Sequence, residues 1–394
     1  MHLVARMGQP SSGQARAVWD LAAAQGELGC RVAIHTTSGW ADDPVADAAV
    51  PVRPRVRVFP VAGPASIGFS PAAERWARSP EAAGFPVLHQ HGIWQAFSRV
   101  TLGWRERLRR PTVVAPHGSL DPAVLSHSQW KKALARLAYE GRNLAGASCL
   151  HATAAGELLQ LRELGFRNPV AVLPNGVSEA WLSSVGDAAR FRAAHGLSAN
   201  ARILLYISRI HPLKRLMTLV EAFGSNRRLL DGWELVVAGP SYHPAYLHAV
   251  QTRIAEQGLS ARIHVVGELR GAARRDAFAA AELMVLPSRS ENFSLVVAEA
   301  LGVGVPVIAT RGAVAWEALE TERCGWWVNP DLASLEGALL SATRRTPAEL
   351  RAMGGRGRAL VLRDYRWAPI ARRTLELYSW LAGDAARPEF VAVG

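Results

Sequence analysis

The residues best suited to chemistry fall in a few short segments, each behind an apolar run. In Leu283–Thr310, apolar residues end at Pro287 and a polar loop follows, Ser288-Arg289-Ser290-Glu291-Asn292. A helical pattern then starts near Phe293 and ends at Gly302 or Gly304. A loop at the carboxyl end of a strand that opens a helix offers free amides and the positive end of the helix dipole to a phosphate. Glu291 and Glu299 stand eight residues apart. On one helix that spacing is about 12 Å along the axis and about 80° in rotation. The two carboxylates cannot then share one proton or one metal, but they can hold two ends of an elongated ligand. The plainer alternative has Glu291 complementing the helix dipole and Glu299 on a solvated face.

In Leu204–Phe223 an apolar run leads to Arg209, then His-Pro, then Lys214 ahead of a helix. Two cations beside a strand end suit a diphosphate, which arginine grips through a planar fork and lysine meets as a point charge. In Val113–Asp121, His117-Gly118 follows another apolar run, with Asp121 just beyond. His89 and His91, two residues apart, could touch a metal, but no third ligand is evident from spacing, so no metal is expected. The loop Gly8–Gly13 precedes a helical pattern at Ala15–Leu28, yet it lacks both the G-x-G-x-x-G fingerprint and a Walker loop.

The elements that must position these residues alternate. Strand-like runs at Arg31–Thr37, Val56–Val61, Pro86–His89, Thr112–Ala115 and Val170–Leu173 form one set, with a short first strand at Leu3–Ala5. Runs at Arg202–Ser208, Glu234–Ala238, Arg262–Val266, Leu283–Leu286 and Pro306–Thr310 form a second. Near-continuous apolar strands separated by helical patterns (Ser128–Leu144, Leu216–Phe223, Ala273–Ala280, Ser294–Leu301) read as α/β with parallel sheets. Two Rossmann-like α/β domains facing a cleft are expected: residues 1–180 and residues 198–367, with a short structured connection from Pro174-Asn175-Gly176 to about Asn200. The amphipathic pattern at Tyr365–Leu381 predicts a terminal helix, so residues 368–394 are expected to cross back to the first domain.

A length of 394 residues exceeds what one core usually supports, and 49% hydrophobic with 20% charged residues excludes a disordered or fibrous chain. Cys30, Cys149 and Cys324 are scattered, which argues against a disulfide scaffold or a zinc finger. No run of eighteen apolar residues and no secretory pattern in Met1–Gly13 are seen, so a cytoplasmic setting is expected. The net charge of +12 points to an anionic partner. Two basic segments interleave Arg or Lys with Trp and Leu: Arg99–Arg110 and Lys131–Arg142. Both suit an anionic membrane surface, or else they are solvated helix faces whose stems cover apolar surface. No nucleic-acid motif accompanies the charge.

Taken together, these segments resemble the retaining, nucleotide-sugar-dependent group 1 glycosyltransferases of the GT-B fold, of the bacterial exopolysaccharide and lipopolysaccharide type. The resemblance rests on the Glu-x7-Glu motif Glu291–Glu299 in register with the flanking PSRSENF and EALGVGVPVIAT, on Arg209 and Lys214, on Pro174–Val177, and on His117-Gly118. It implies that Glu291 contacts the donor sugar, Glu299 the ribose hydroxyls, and Arg209 and Lys214 the departing diphosphate. It further implies that the amides of Phe293, Ser294 and Leu295 cradle the distal phosphate, that Gly13 lets its loop approach the phosphates, and that His117 lies by the reacting sugar. Asp121 is a candidate for acceptor contact. No cofactor and no metal are implied; the partners are a nucleotide-sugar donor and a glycan or lipid-linked acceptor. Front-face attack would keep the anomeric configuration without a glycosidase-type nucleophile. Two departures stand out: Ser12-Gly13 where Gly-Gly is usual, and Arg215 where a glycine usually follows the lysine. A sugar-nucleotide epimerase or hydrolase of similar fold, or a non-catalytic binding homologue, are the alternatives.

Overall fold

The computed structural model describes residues 1–7, 13–38, 52–126 and 128–394. It forms two compact units, Met1–Gly176 with Trp367–Gly394, and Val177–Arg366. The first holds strands β1 (His2–Val4), β2 (Ala33–Thr36), β3 (Arg55–Val58), β4 (Leu88–His91), β5 (Thr112–Ala115), β6 (Cys149–Ala152) and β7 (Val170–Val172). The second holds β8 (Arg202–Ile207), β9 (Trp233–Ala238), β10 (Ile263–Gly267), β11 (Leu283–Leu286), β12 (Val307–Thr310) and β13 (Gly325–Val328). A last strand, β14 (Val391–Ala392), returns to the first sheet and pairs antiparallel with β7.

The sheet orders are β14-β7-β6-β5-β4-β1-β2-β3 and β10-β9-β8-β11-β12-β13. Apart from β14, every strand pairing is parallel. Both units are therefore doubly wound Rossmann-like sheets. Their strand order reverses between β1 and β4 and between β8 and β11, and ligands of such sheets bind outside the strand carboxyl ends at that reversal. The strands of the second unit are mainly apolar because helices cover both faces, and separate cores lie on either side of the sheet.

Several elements differ from expectation. Residues 177–200 are not a connection. The helices Glu179–Leu182 and Ala188–Ala194 belong to the second unit, where Leu182 and Phe191 join the core with Phe278 and Leu301. Arg190 pairs with the nearly buried Asp276 at 2.7 Å. Strands β6 and β13 have no counterpart among the expected runs, and β4 continues to His91 although its last three residues are His-Gln-His. Polar residues can occupy a buried strand when each finds a partner, and here each does. The C-terminal helix spans Trp367–Ala382, packs on the helix Gly13–Glu27, and places Leu377 in a core with Val113, Ala171 and Leu173.

Candidate functional site

In the second unit, the loops that follow β8 and β11 are tied together. The Arg289 amide donates to the Leu213 carbonyl at 2.8 Å. The Lys214 ammonium pairs with Glu291, whose Oε1 also accepts from the Ser288 hydroxyl at 2.7 Å. Both side chains are largely buried, at 12% and 10% exposure. Glu291 is itself anchored through its amide to the Gly312 carbonyl at 2.8 Å. Gly312 has to be glycine for this: a Cβ there would lie 2.4 Å from the Arg289 carbonyl oxygen. Ahead of Lys214, His211 caps a single turn by accepting from the Leu213 amide. Arg209 is exposed at the end of the β8 strand and makes no ion pair among the described residues.

The helix begins at Leu295, later than Phe293. Its cap Ser294 is in the left-handed region at φ 61° and makes no side-chain cap. The amides of Phe293, Ser294 and Leu295 have no acceptor among the described residues, so three donors stand open at a helix start, a place that suits an anion. The Phe293 side chain is not part of that surface. It is buried against Trp316 and Tyr365 at ring distances of 5.2 and 5.6 Å, and the Trp316 indole holds the Phe293 carbonyl.

Glu291 and Glu299 are therefore not on one helix, and the axial spacing expected from sequence does not apply. Glu291 sits in a bridge to Ala313, where it meets a lysine and not a helix dipole. Glu299 is on the helix but not simply solvated: Arg274 pairs with it. Sequence reading missed Arg274 because it lies on another helix, Gly271–Ala280, with nothing in its spacing to signal the contact. Arg215, in the place of a glycine, adopts φ 53°, the conformation glycine tolerates best; its guanidinium bonds the Pro330 carbonyl.

In the first unit, His117 follows β5 in the left-handed region at φ 52°, with Gly118 at φ 73°. The turn is held from below by the buried Glu157, which accepts from the Gly118 amide at 2.8 Å and from the Thr153 amide at 2.8 Å. Burial raises the Glu157 carboxyl pKa. Asp121 opens the short helix Pro122–Leu125 and accepts, through its carbonyl, from the Val124 and Leu125 amides. Gly13 is the exposed first residue of its helix; the rest of its loop lies outside the described residues.

His117 is one of five linked imidazoles. His2 on β1 stands in register with His89 on β4, and His91 and His151 (on β6) lie on the same side. His2 supplies the third imidazole that spacing alone did not reveal: one ring nitrogen from each of His2, His89 and His91 lies within 4.8 Å of the other two. All six ring nitrogens of these residues are, however, already taken by hydrogen bonds to one another or to Gln25, Tyr378, His117 and His151. Burial depresses every one of the five: His2 and His117 to about 3, His151 to about 4, and His89 and His91 well below the usual value.

The basic segments divide. Arg99–Arg110 lies mainly on the helix Ser98–Leu108, whose Val100, Leu102 and Trp104 are core residues. Arg99 pairs with Glu74; Arg105 bonds the Asn143 and Arg142 carbonyls and Arg110 the Ala83 and Phe85 carbonyls. These apolar residues are committed to the core. The other segment winds from Gln129 to Ala145 with a π turn at Arg136–Glu140. It leaves Trp130, Leu134 and Leu137 66%, 57% and 84% exposed. Among the described residues no helix is long and apolar enough to cross a membrane.

A sequence profile described as "Glycosyl transferases group 1" matches residues 187–353, and one described as "Glycosyl transferase 4-like domain" matches residues 12–176. The D-inositol 3-phosphate glycosyltransferase of Nocardia farcinica is 32% identical over 309 residues, 75% of this chain; the match spans 66% of that protein's length. Its namesake from Streptomyces scabiei is 30% identical over 319 residues, covering 77% of this chain and 70% of that protein. Among solved structures, sucrose-phosphate synthase from Thermosynechococcus elongatus superposes with TM-score 0.78 at 25% identity over 98% of this chain and 99% of that one. WaaG, a glycosyltransferase involved in lipopolysaccharide biosynthesis, shares the fold at TM-score 0.70 and 15% identity, over 96% and 100%.

Proposed function

Since the chain belongs to the group 1 glycosyltransferase family, we propose that it moves a sugar from a nucleoside-diphosphate donor to a hydroxyl acceptor, with retention of configuration. The observation that supports this most is the joined pair of loops after β8 and β11, where Lys214 meets Glu291 beside three unclaimed amides. In this reading the amides of Phe293, Ser294 and Leu295 take the distal phosphate, Arg209 and Lys214 take the charge that grows on the departing diphosphate, and Glu299 takes the ribose. A diphosphate approaching Lys214 competes with Glu291 for its ammonium and frees that carboxylate for the sugar. Fixed cations and dipoles aimed at developing charge supply much of the barrier lowering in many enzymes. The same cations could supply the positive charge that a metal supplies elsewhere, so the proposed reaction is metal-independent and EDTA is expected to leave its rate unchanged. His117 faces the transferred sugar in this scheme, and Asp121 the acceptor side.

Two acceptor classes are in view. The curated relatives are named for D-inositol 3-phosphate, which makes an inositol phosphate one. A glycan or lipid-linked saccharide of cell-surface polysaccharide synthesis is the other. It is supported by the bared Trp130, Leu134 and Leu137 beside Lys131 and Lys132, a composition suited to docking on an anionic inner membrane face. The experiment is nucleotide release from UDP-, GDP- and ADP-sugars with each acceptor in turn. Acceptor-dependent release supports transfer. Release that ignores every acceptor favours the hydrolase or epimerase reading, and donor binding without release favours a non-catalytic homologue. Flotation with anionic vesicles separates the acceptor readings. Trp130→Ser with Leu137→Ser is expected to lose the vesicles; a wild-type protein that never floats at low salt removes the membrane from the scheme.

A further inference from the structure

Two buried carboxylates of the first unit take backbone donors at the carboxyl ends of β4, β5 and β6. Glu157 accepts from the Gly118 and Thr153 amides, each at 2.8 Å, and from the Thr153 hydroxyl at 3.1 Å. Glu140 accepts from the Trp94 amide, the Ser98 hydroxyl and the Asn143 side-chain amide, each at 2.8 Å. The two glutamates are 3% and 0% exposed. Backbone amides at strand ends and helix starts are what a protein offers to a phosphate. In this unit the chain's own carboxylates fill that role from beneath. Trp94 shows how firmly. It stands at φ 73°, a conformation rare for a bulky residue. Glu140 holds its amide, the Tyr139 hydroxyl donates to its carbonyl at 3.1 Å, and its own indole N–H donates to the Ser119 carbonyl at 2.9 Å. Tyr139 and Glu140 belong to the π turn, a rare element that recurs at functional sites. The half-buried Trp94 ring is thereby fixed beside the turn that carries His117 and leads to Asp121.

Charge at this rim runs against the rest of the chain. Residues 92–97, 116–121, 153–154 and 173–176 follow β4, β5, β6 and β7. They contain no Lys or Arg and one carboxylate, Asp121, although the net charge of the chain is +12. Across the reversal of strand order, Arg6 after β1 donates to the Ala65 carbonyl at 2.9 Å. Arg99 and Lys132, near in sequence, are committed to Glu74 and to the Val124 carbonyl. An anion brought to these loops finds these donors taken and no cation among them. The open amides of Phe293, Ser294 and Leu295 beside Lys214 are the contrary case. A sugar hydroxyl donates as well as accepts, so it needs neither a cation nor an open amide and can donate to Asp121. We propose that the acceptor binds at this rim as a neutral saccharide, with no phosphate on the ring that receives the sugar, and that Glu140 and Glu157 are positioning residues that exclude anions by occupying the donors. The proposal rests on the glycosyl-transfer reading above and decides between its two acceptor classes, against an inositol phosphate.

The test uses acceptors that differ only in a phosphate, inositol against D-inositol 3-phosphate and glucose against glucose 6-phosphate, in acceptor-dependent nucleotide release. In any pair that is used, the neutral member is expected to have the larger kcat/KM by at least about tenfold, the scale of an anion left without a partner. A preferred phosphorylated member overturns the proposal and leaves sugar transfer standing. Glu157→Gln keeps the shape but gives up one of the two acceptor oxygens, and is expected to shrink the neutral preference about threefold, the scale of one exposed charge interaction. Equal loss with both members of a pair marks a merely structural role for Glu157 and overturns that part. A second measurement needs no turnover and no variant. In amide NMR of the full chain, added inorganic phosphate is expected to leave Trp94, Gly118 and Thr153 unmoved. Saturating shifts at these three amides overturn the proposal whether or not sugar is transferred. If no acceptor of either kind stimulates release and the amides stay unmoved, the transfer reading falls and the exclusion of anions stands.

Discussion

The two units solve the same problem with opposite means. In the second, the candidate groups are charged and, Arg209 apart, sit among paired charges: Lys214 meets Glu291, Arg274 meets Glu299, and Arg190 meets Asp276. In the first, the candidate His117 belongs to a set of imidazoles kept uncharged by burial and joined to one another by hydrogen bonds. A paired charge can be drawn off by a stronger competitor such as a diphosphate. A neutral hydrogen-bonded set cannot be competed for in that way, but it holds its geometry at almost no electrostatic cost. One unit is arranged to exchange partners, the other to keep them.

Acid should break this comparison most strongly. Histidines that stay neutral in the folded state at about 3–4 but take protons near 6.5 when unfolded make the unfolded chain bind more protons between those values. Stability is then complete above about pH 6.5 and falls with decreasing pH, by up to about 1.4 kcal/mol per pH unit for each such imidazole. Asp276, held below its usual 3.8 by Arg190, has the opposite window: its contribution is present above about pH 4 and lost below. Hydrogen exchange at pH 7 and pH 5 should therefore deprotect β4–β6 by several kcal/mol and leave β8–β12 nearly unchanged. Equal loss in both sheets would erase the distinction.

Next in size are the exchangeable charges. Lys214→Ala and Glu291→Ala are each expected to lower turnover by at least about 10²-fold, the loss of one preorganised charge-stabilising group. Near-wild-type nucleotide release in both would sink the assignment. Arg274→Ala leaves Glu299 without its cation and is expected to change donor affinity about tenfold, measured by calorimetry, with kcat little altered. Smallest is Arg215→Gly. It relieves a left-handed backbone worth about 1 kcal/mol but gives up the bond to Pro330, so the midpoint of thermal unfolding should move by no more than a few degrees. A collapse of the fold would show that the arginine has a role that its contacts do not express.

The parallel sheets were legible because strands such as β8 and β11 are unbroken apolar runs that end in polar loops. Arg209, Lys214, Glu291 and Glu299 were legible by type and order. Their relations were not. Periodicity starts the helix near Phe293, two residues ahead of its observed beginning at Leu295, because a left-handed Ser294 delays the first turn. Glu157 and Arg274 act through contacts across 39 and 25 residues of chain, and no local pattern encodes those. Composition alone shortens β4, because His-Gln-His reads as a loop unless the partners that satisfy it are known. The basic run Arg99–Arg110 looks like a surface because charge counts do not distinguish a guanidinium facing water from one capping carbonyls.

The return of Trp367–Ala382 and β14 to the first sheet has a consequence for how the chain is made. Residues 177–366 are contiguous and can close as soon as they leave the ribosome. Residues 1–176 emerge earlier but cannot finish: until residues 367–394 are made, His89 lacks its Tyr378 partner, the edge of β7 is open, and Leu377 is missing from the core. The half of the protein translated first is thus the half completed last. A nascent chain stalled near residue 366 would carry one finished unit and one still dependent on chaperones.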